Sequence, residues 1–211
     1  MFFDKKSDRD VDPNYPHFPL NLRIGAILAV DEAERLRFAG LPLAWTLPEG
    51  EMLIEGLSSM ELFGLRIVRA YARSGETRLL FQFNFDKDGN HLDSNCFGLL
   101  EEIRPATEDD WGAWLDDGGL LGGPDINAPN GQTYKRQWGD GDFAAPVAAE
   151  EDIYSDPTAP PHRESHRLAL YAREVGDENE NLLLSADSDA DDAVIRAWIG
   201  FDLTSVGLTI Y

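Results

Sequence analysis

The sequence predicts an α+β protein that is mainly β, built as two packed antiparallel β-rich halves with one or two short helices. Three observations predict it. Apolar and polar residues alternate through both halves, a strand-turn-strand passage is written twice, and one segment alone carries a full helix-start signal. The repeated passage is the most distinctive. Residues 64–86 read GLRIVRAYARSGETRLLFQFNFD and residues 167–187 read RLALYAREVGDENENLLLSAD, with Tyr71-Ala72-Arg73 and Tyr171-Ala172-Arg173 at matching places. The second copy reads as longer in its turn, which Gly176-Asp177 signals. An internal pseudo-duplication would explain the likeness, and so would the composition that any two amphipathic hairpins share, since the gap-free match ends after three residues.

Taken in order, residues 1–20 mix charges with Pro13, Pro16 and Pro19, which cannot donate to a ladder, so they read as a mobile N-terminal arm that docks near Tyr15 and Phe18. Residues 21–118 form the first β-rich half. Leu22 to Val30 reads as its first strand, and Asp31 to Glu34 as a turn back towards Leu36 and Phe38. Two short apolar runs, Pro42 to Leu47 and Met52 to Leu57, flank a Pro48-Glu49-Gly50 turn. Phe81, Phe83 and Phe85 share one face of a half-buried strand. Thr107 caps the clear helix, Asp110 holds the third helical position of a capping box, and Trp111, Trp114 and Leu115 make its apolar face before Gly118-Gly119 ends it. Residues 119–131, rich in Gly, Pro and Asn, read as the connection. Residues 132–211 form the acidic second half, in which Asp191 to Trp198 fits either a helix or a strand.

The 211 residues carry 18 basic and 39 acidic side chains, a net charge of −21. Residues 139–192 hold 15 acids against 3 bases, so this quarter accounts for −12 of the total. Such a field repels phosphate backbones and anionic lipid, which argues against direct nucleic-acid binding and for a basic or cationic partner. One cysteine, Cys96, permits no intramolecular disulfide. The charged start lacks the apolar run of a signal peptide, and the longest apolar stretch, Ile24 to Val30, is far short of the ~20 residues of a membrane-spanning helix. A cytoplasmic protein is expected.

The chemistry-bearing residues are few. His162, Glu164 and His166 alternate, so on a strand all three project from one face and could hold a divalent cation; the plainer reading is two surface histidines at the start of a strand. Asp187, Asp189 and Asp191 repeat the opening spacing of a calcium loop, but Asp192 stands where the turn glycine belongs and Trp198 where the bidentate Glu belongs. A solvated acidic loop fits as well. Asp86 to Asn90, with Asp93 following, reads as turn chemistry ahead of a cation site. Cys96 and His91 fix no nucleophile-base geometry, and Gly118 to Gly123 lacks the Lys-Ser or Lys-Thr of a phosphate loop. Tyr134, Arg136 and Trp138 alternate on one face, as a recognition patch would, or as a cross-strand core pair with a flanking charge would.

Several segments together carry a family likeness. Pro19 to Gly25, the first Tyr-Arg hairpin, Asp110 to Leu115, Gly131 to Trp138, Glu151 to Tyr154 and the second hairpin with Leu183-Leu184-Ser185-Ala186 occur in the order of the YjfK-like bacterial family of uncharacterised proteins, which the chain resembles from Pro19 to Tyr211. The resemblance implies no activity, cofactor or catalytic residue, and implies an accessory role in an envelope or membrane-stress system. The expectation is therefore a cytoplasmic interaction or accessory protein with a protein partner and without catalysis. Two alternatives stand beside it: a metal-dependent hydrolytic enzyme using His162, Glu164 and His166, and an acidic inhibitor or immunity-type protein that binds a basic partner.

Overall fold

Runs such as Leu79-Leu80-Phe81 and Leu182-Leu183-Leu184 bury every residue, which a strand does only when both of its faces are covered. The architecture supplies that cover. The computed structural model describes residues 11–12, 14–204 and 207–211. Its elements are β1 (Ile27–Val30), α1 (Glu32–Phe38), β2 (Met52–Leu62), β3 (Leu65–Ser74), β4 (Thr77–Phe85), β5 (His91–Ile103) and α2 (Glu108–Leu115). A 3₁₀ turn (Leu120–Gly122) precedes β6 (Asp125–Asn127), β7 (Thr133–Arg136), β8 (Val147–Tyr154), β9 (His162–Val175), β10 (Glu178–Ser188), β11 (Ala193–Leu203) and β12 (Leu208–Ile210).

Strands β2-β3-β4-β5-β11-β10-β9 pair in that order, and β8 pairs both β9 and β2, which closes an eight-stranded antiparallel barrel. The sequence points to two packed halves and leaves open whether they share a sheet; they share one, closed into a barrel. Each gives four strands to one closed wall, joined at β5–β11 and β2–β8. Closure removes the free edges that open sheets must protect. β2 and β9 extend beyond the wall, where β1–β12 pairs the start of β2 and β7–β6 pairs the end of β9.

Both long hairpins turn through two residues, Gly75-Glu76 and Gly176-Asp177, so the second turn is not the longer. The glycine leads each turn with φ of 58° and 64°, the left-handed conformation a tight hairpin needs there. The Tyr-Ala-Arg match is not a structural repeat. Tyr71 points into the barrel, where its hydroxyl meets Glu151, whereas Tyr171 faces outward into a different core and donates to the Leu120 carbonyl.

Three apolar cores result. Phe81, Phe83 and Phe85 lie together on the outer face of the first half, as their alternation predicts. Phe38 of α1 stacks on Phe201 with ring centroids 3.9 Å apart over this face, and the Trp45 indole lies on Gly98, where a Cβ would stand 2.3 Å from the ring. The outer face of the second half, with Leu182, Leu184, Ile195 and Ile199, is covered by Trp111, Trp114 and Leu115 of α2. Inside the barrel, Met60, Leu80, Phe97, Leu168, Leu183 and Trp198 fill one half of the interior, each large side chain contributing roughly 1.5–3 kcal/mol by leaving water.

The capping box of α2 forms as expected, with Thr107 and Asp110 exchanging hydrogen bonds. Other local expectations need correction. The first strand is only Ile27–Val30, the acidic segment after it is helix α1, residues 42–47 form no strand, and the connection contains the 3₁₀ turn and β6. Asp191 to Trp198 resolves as the start of β11. Of the N-terminal arm, residues 1–10 and 13 lie outside the described residues; Tyr15 and Phe18 pack edge-on with Tyr154.

Candidate functional site beneath the barrel mouth

The other half of the barrel interior is charged. Strand alternation points Ser58 of β2, Arg69 and Tyr71 of β3, Glu151 of β8, Glu164 and His166 of β9, Ser185 and Asp187 of β10 and Arg196 of β11 to the same space. Register brings the partners together, since Glu151 lies opposite Glu164, His166 opposite Asp187, and Ser185 opposite Arg196. Arg69, Glu151, Glu164, His166 and Asp187 are all buried.

Glu151 Oε1 accepts hydrogen bonds from the hydroxyls of Ser58 and Tyr71, and its Oε2 accepts one from Arg69 Nη1 at 2.9 Å. Asp187 Oδ2 accepts from Ser185 Oγ at 2.9 Å and from Arg196 Nη1 at 2.7 Å, and Arg196 Nη1 also reaches Glu164 Oε1 at 2.9 Å. His166 Nδ1 lies 2.7 Å from Asp187 Oδ1. An ionised carboxylate only accepts, so the Nδ1 position carries the proton. The other ring nitrogen, Nε2, lies 2.7 Å from Glu151 Oε2 and 4.0 Å from Glu164 Oε2. The first contact has the distance of a hydrogen bond but not its direction, and Nε2 is buried without a hydrogen-bond partner.

The electrostatics follow from these contacts. Burial alone would make the Glu151 carboxyl hold its proton, but Arg69 first, then His166 and Ser58, draw its pKa down to about 2. Burial opposes the imidazolium of His166, and Asp187 and Glu151 outweigh it to raise the pKa to about 9. Burial and then the Glu151 charge hold the Tyr71 phenol well above its ordinary value. Ser58 and Ser185 cannot serve as nucleophiles as they stand, because both hydroxyls donate to carboxylates and both side chains are sealed from solvent.

Above this layer the barrel opens into a cavity of about 300 Å³, a volume at the lower end of small-molecule pockets. Tyr71, Trp198, Glu164 and Arg196 face it from within, and Arg73 and Arg78 stand on its rim. The rim charges are paired: Arg73 forms two hydrogen bonds with Glu55, Arg78 lies 3.3 Å from Glu102, and His162 Nε2 lies 3.1 Å from Asp189 Oδ2.

The residues named from the sequence divide accordingly. Glu164, His166 and Asp187 converge inside, with potential ligand atoms all within 4.8 Å of one another. His162 and Asp189 meet at the rim instead. Asp189 also accepts the backbone N–H groups of Asp191 and Asp192, which holds its carboxyl below its ordinary value, so Asp189 to Asp192 is a turn between β10 and β11. Asp86 likewise caps its own turn by accepting from the Asp88 and Asn90 backbone. Cys96 is buried in an outer core, and His91 pairs with Ser94.

Tyr134, Arg136 and Trp138 form no exposed patch. Tyr134 is fully buried and donates to Glu180 Oε2, Arg136 is held by the carbonyls of Gly122 and Gly141, and Trp138 packs beneath the barrel and edge-on to Phe63. Sequence reasoning missed Ser58, Arg69, Tyr71, Glu151 and Arg196. The available signal was a charged residue at an inward position of an otherwise apolar strand, as in Ile67-x-Arg69-x-Tyr71.

Among the described residues no helix is long and apolar enough to cross a membrane. No curated protein and no solved structure matches the chain. The family described as "Protein of unknown function (DUF2491)" matches residues 1–209, and the chain belongs to that family.

Proposed function

We propose that this chain is a non-catalytic, cytoplasmic binding module that receives a segment of a protein partner at the mouth of the barrel. The observation that carries the reading is the pairing of an open cavity with a floor whose hydroxyl groups are all taken. The cavity is lined by Tyr71 and Trp198 within a ring of both charge signs, and the hydroxyls at its base are committed to carboxylates. That combination suits recognition of an apolar side chain flanked by charge, since aromatic anchors and Arg dominate binding surfaces.

The test is peptide selection on the purified protein, followed by affinity measurement on Arg78→Glu and Arg73→Glu, which reverse the rim charge without touching the interior. Selected peptides should lose at least about tenfold in affinity to these variants, equivalent to ~1.4 kcal/mol. Peptides that bind both variants as tightly as the parent would place recognition elsewhere and overturn the reading.

A further inference from the structure

The charged layer contains one buried atom that its hydrogen bonds leave over. His166 Nε2 has no hydrogen-bond partner and lies 2.7 Å from Glu151 Oε2 and 4.0 Å from Glu164 Oε2. Nδ1 of the same ring is bound to Asp187, so Nε2 is the nitrogen left for a metal ion, which binds there by displacing the proton of the imidazolium. A carboxylate on the far nitrogen of a histidine is the arrangement that orients and strengthens a metal ligand. Arg69 on Glu151 and Arg196 on Glu164 hold the two carboxylates in place.

We propose that this layer is a metal site, in which His166 Nε2, Glu151 Oε2 and Glu164 Oε2 bind one divalent first-row transition-metal ion while Asp187 orients the imidazole. One nitrogen and two oxygen ligands suit zinc, at roughly 2.0–2.2 Å from each. Neighbouring ligands of a tetrahedral ion of that size stand ~3.4 Å apart, so Glu151 Oε2, now 2.7 Å from Nε2, moves outward and Glu164 Oε2, now 4.0 Å away, moves inward when the ion binds. Glu164 lines the mouth cavity, giving the ion a route in and the fourth ligand position a way out. This inference does not rest on the peptide-binding reading.

The test uses the full chain, stripped of metal with a chelator and titrated with zinc and, for its visible absorption, with cobalt(II). One equivalent should bind. Glu164→Gln and His166→Asn, each checked for folding by circular dichroism, should weaken binding more than about tenfold, at least the loss expected from removing an outer partner. His162→Ala should leave it unchanged. Absence of stoichiometric binding, binding that survives both interior variants, or binding lost in His162→Ala would each overturn the proposal. If the interior variants do not fold, X-ray absorption of the cobalt-loaded parent decides: one imidazole nitrogen in the ligand shell supports the site, and an oxygen-only shell overturns it.

Discussion

The two halves of the barrel interior solve the same packing problem with opposite chemistry. Below, Phe97, Leu168 and Leu183 fill space with groups that need no partner. Above, Arg69, Glu151, Glu164, His166, Asp187 and Arg196 fill it with groups that are each costly alone. Apolar packing is tolerant of shape-preserving change, because non-directional burial survives it. An ionic layer tolerates almost none, because removing one member leaves another desolvated and unpaired.

The largest effect that could break this comparison is Arg69→Met in the metal-stripped protein, which strands Glu151 and should cost about 3–5 kcal/mol in urea unfolding. A loss below about 1 kcal/mol would mean that water reaches the layer. Pairing it with Glu151→Leu should recover more than about 1 kcal/mol of that loss, since the second substitution removes the carboxylate that the first deprives of its guanidinium, although Ser58 and Tyr71 then lose their acceptor; simple additivity of the two substitutions would deny the coupling. In the apolar half, Leu183→Met should cost less than about 1.5 kcal/mol by the same measurement.

The smallest effect sharpens the boundary between layer and rim. Glu102 is partly exposed, and although burial pushes its carboxyl up, Arg78 and Arg196 bring it below its ordinary value of 4.5. The folded carboxylate therefore holds protons less tightly than the unfolded one. Its contribution is complete above about pH 4.5 and fades as the pH falls through the lower folded value. Screening at the rim limits it to less than about 1 kcal/mol. Stability measured against pH should lose that much of its acid slope in Glu102→Gln, and an unchanged slope would remove Glu102 from the network.

What the sequence revealed of this molecule is what short-range physics controls. The Phe81-Phe83-Phe85 face, the Thr107 capping box and the glycine turns depend on neighbours a few residues away. Helix α1 was hidden because it is seven residues long, has no side-chain hydrogen bond at its N-cap, and relies on Phe38 stacking against Phe201. Closure was hidden because it rests on β8 pairing at once with β2 and β9. The site shows the same division. Alternation along one strand brought out Glu164 and His166, whereas Arg69 and Glu151 meet across 82 residues, and Glu151 is concealed within the acidic run Glu150-Glu151-Asp152. The charge excess was legible but its location was not, since Glu151, Glu164, Glu180 and Asp187 of the acidic quarter are buried as counter-ions rather than displayed.

The pairing of β5 with β11 and of β2 with β8 also bears on how the chain is made. When β5 has left the ribosome, the sheet β2 to β5 has two unsatisfied borders, and Arg69 has no counter-ion. At the usual pace of synthesis, the stretch from β5 to β11 takes of order ten seconds to appear. The arrival of β8 brings Glu151 to Arg69 and covers the β2 border, whereas the β5 border waits for β11.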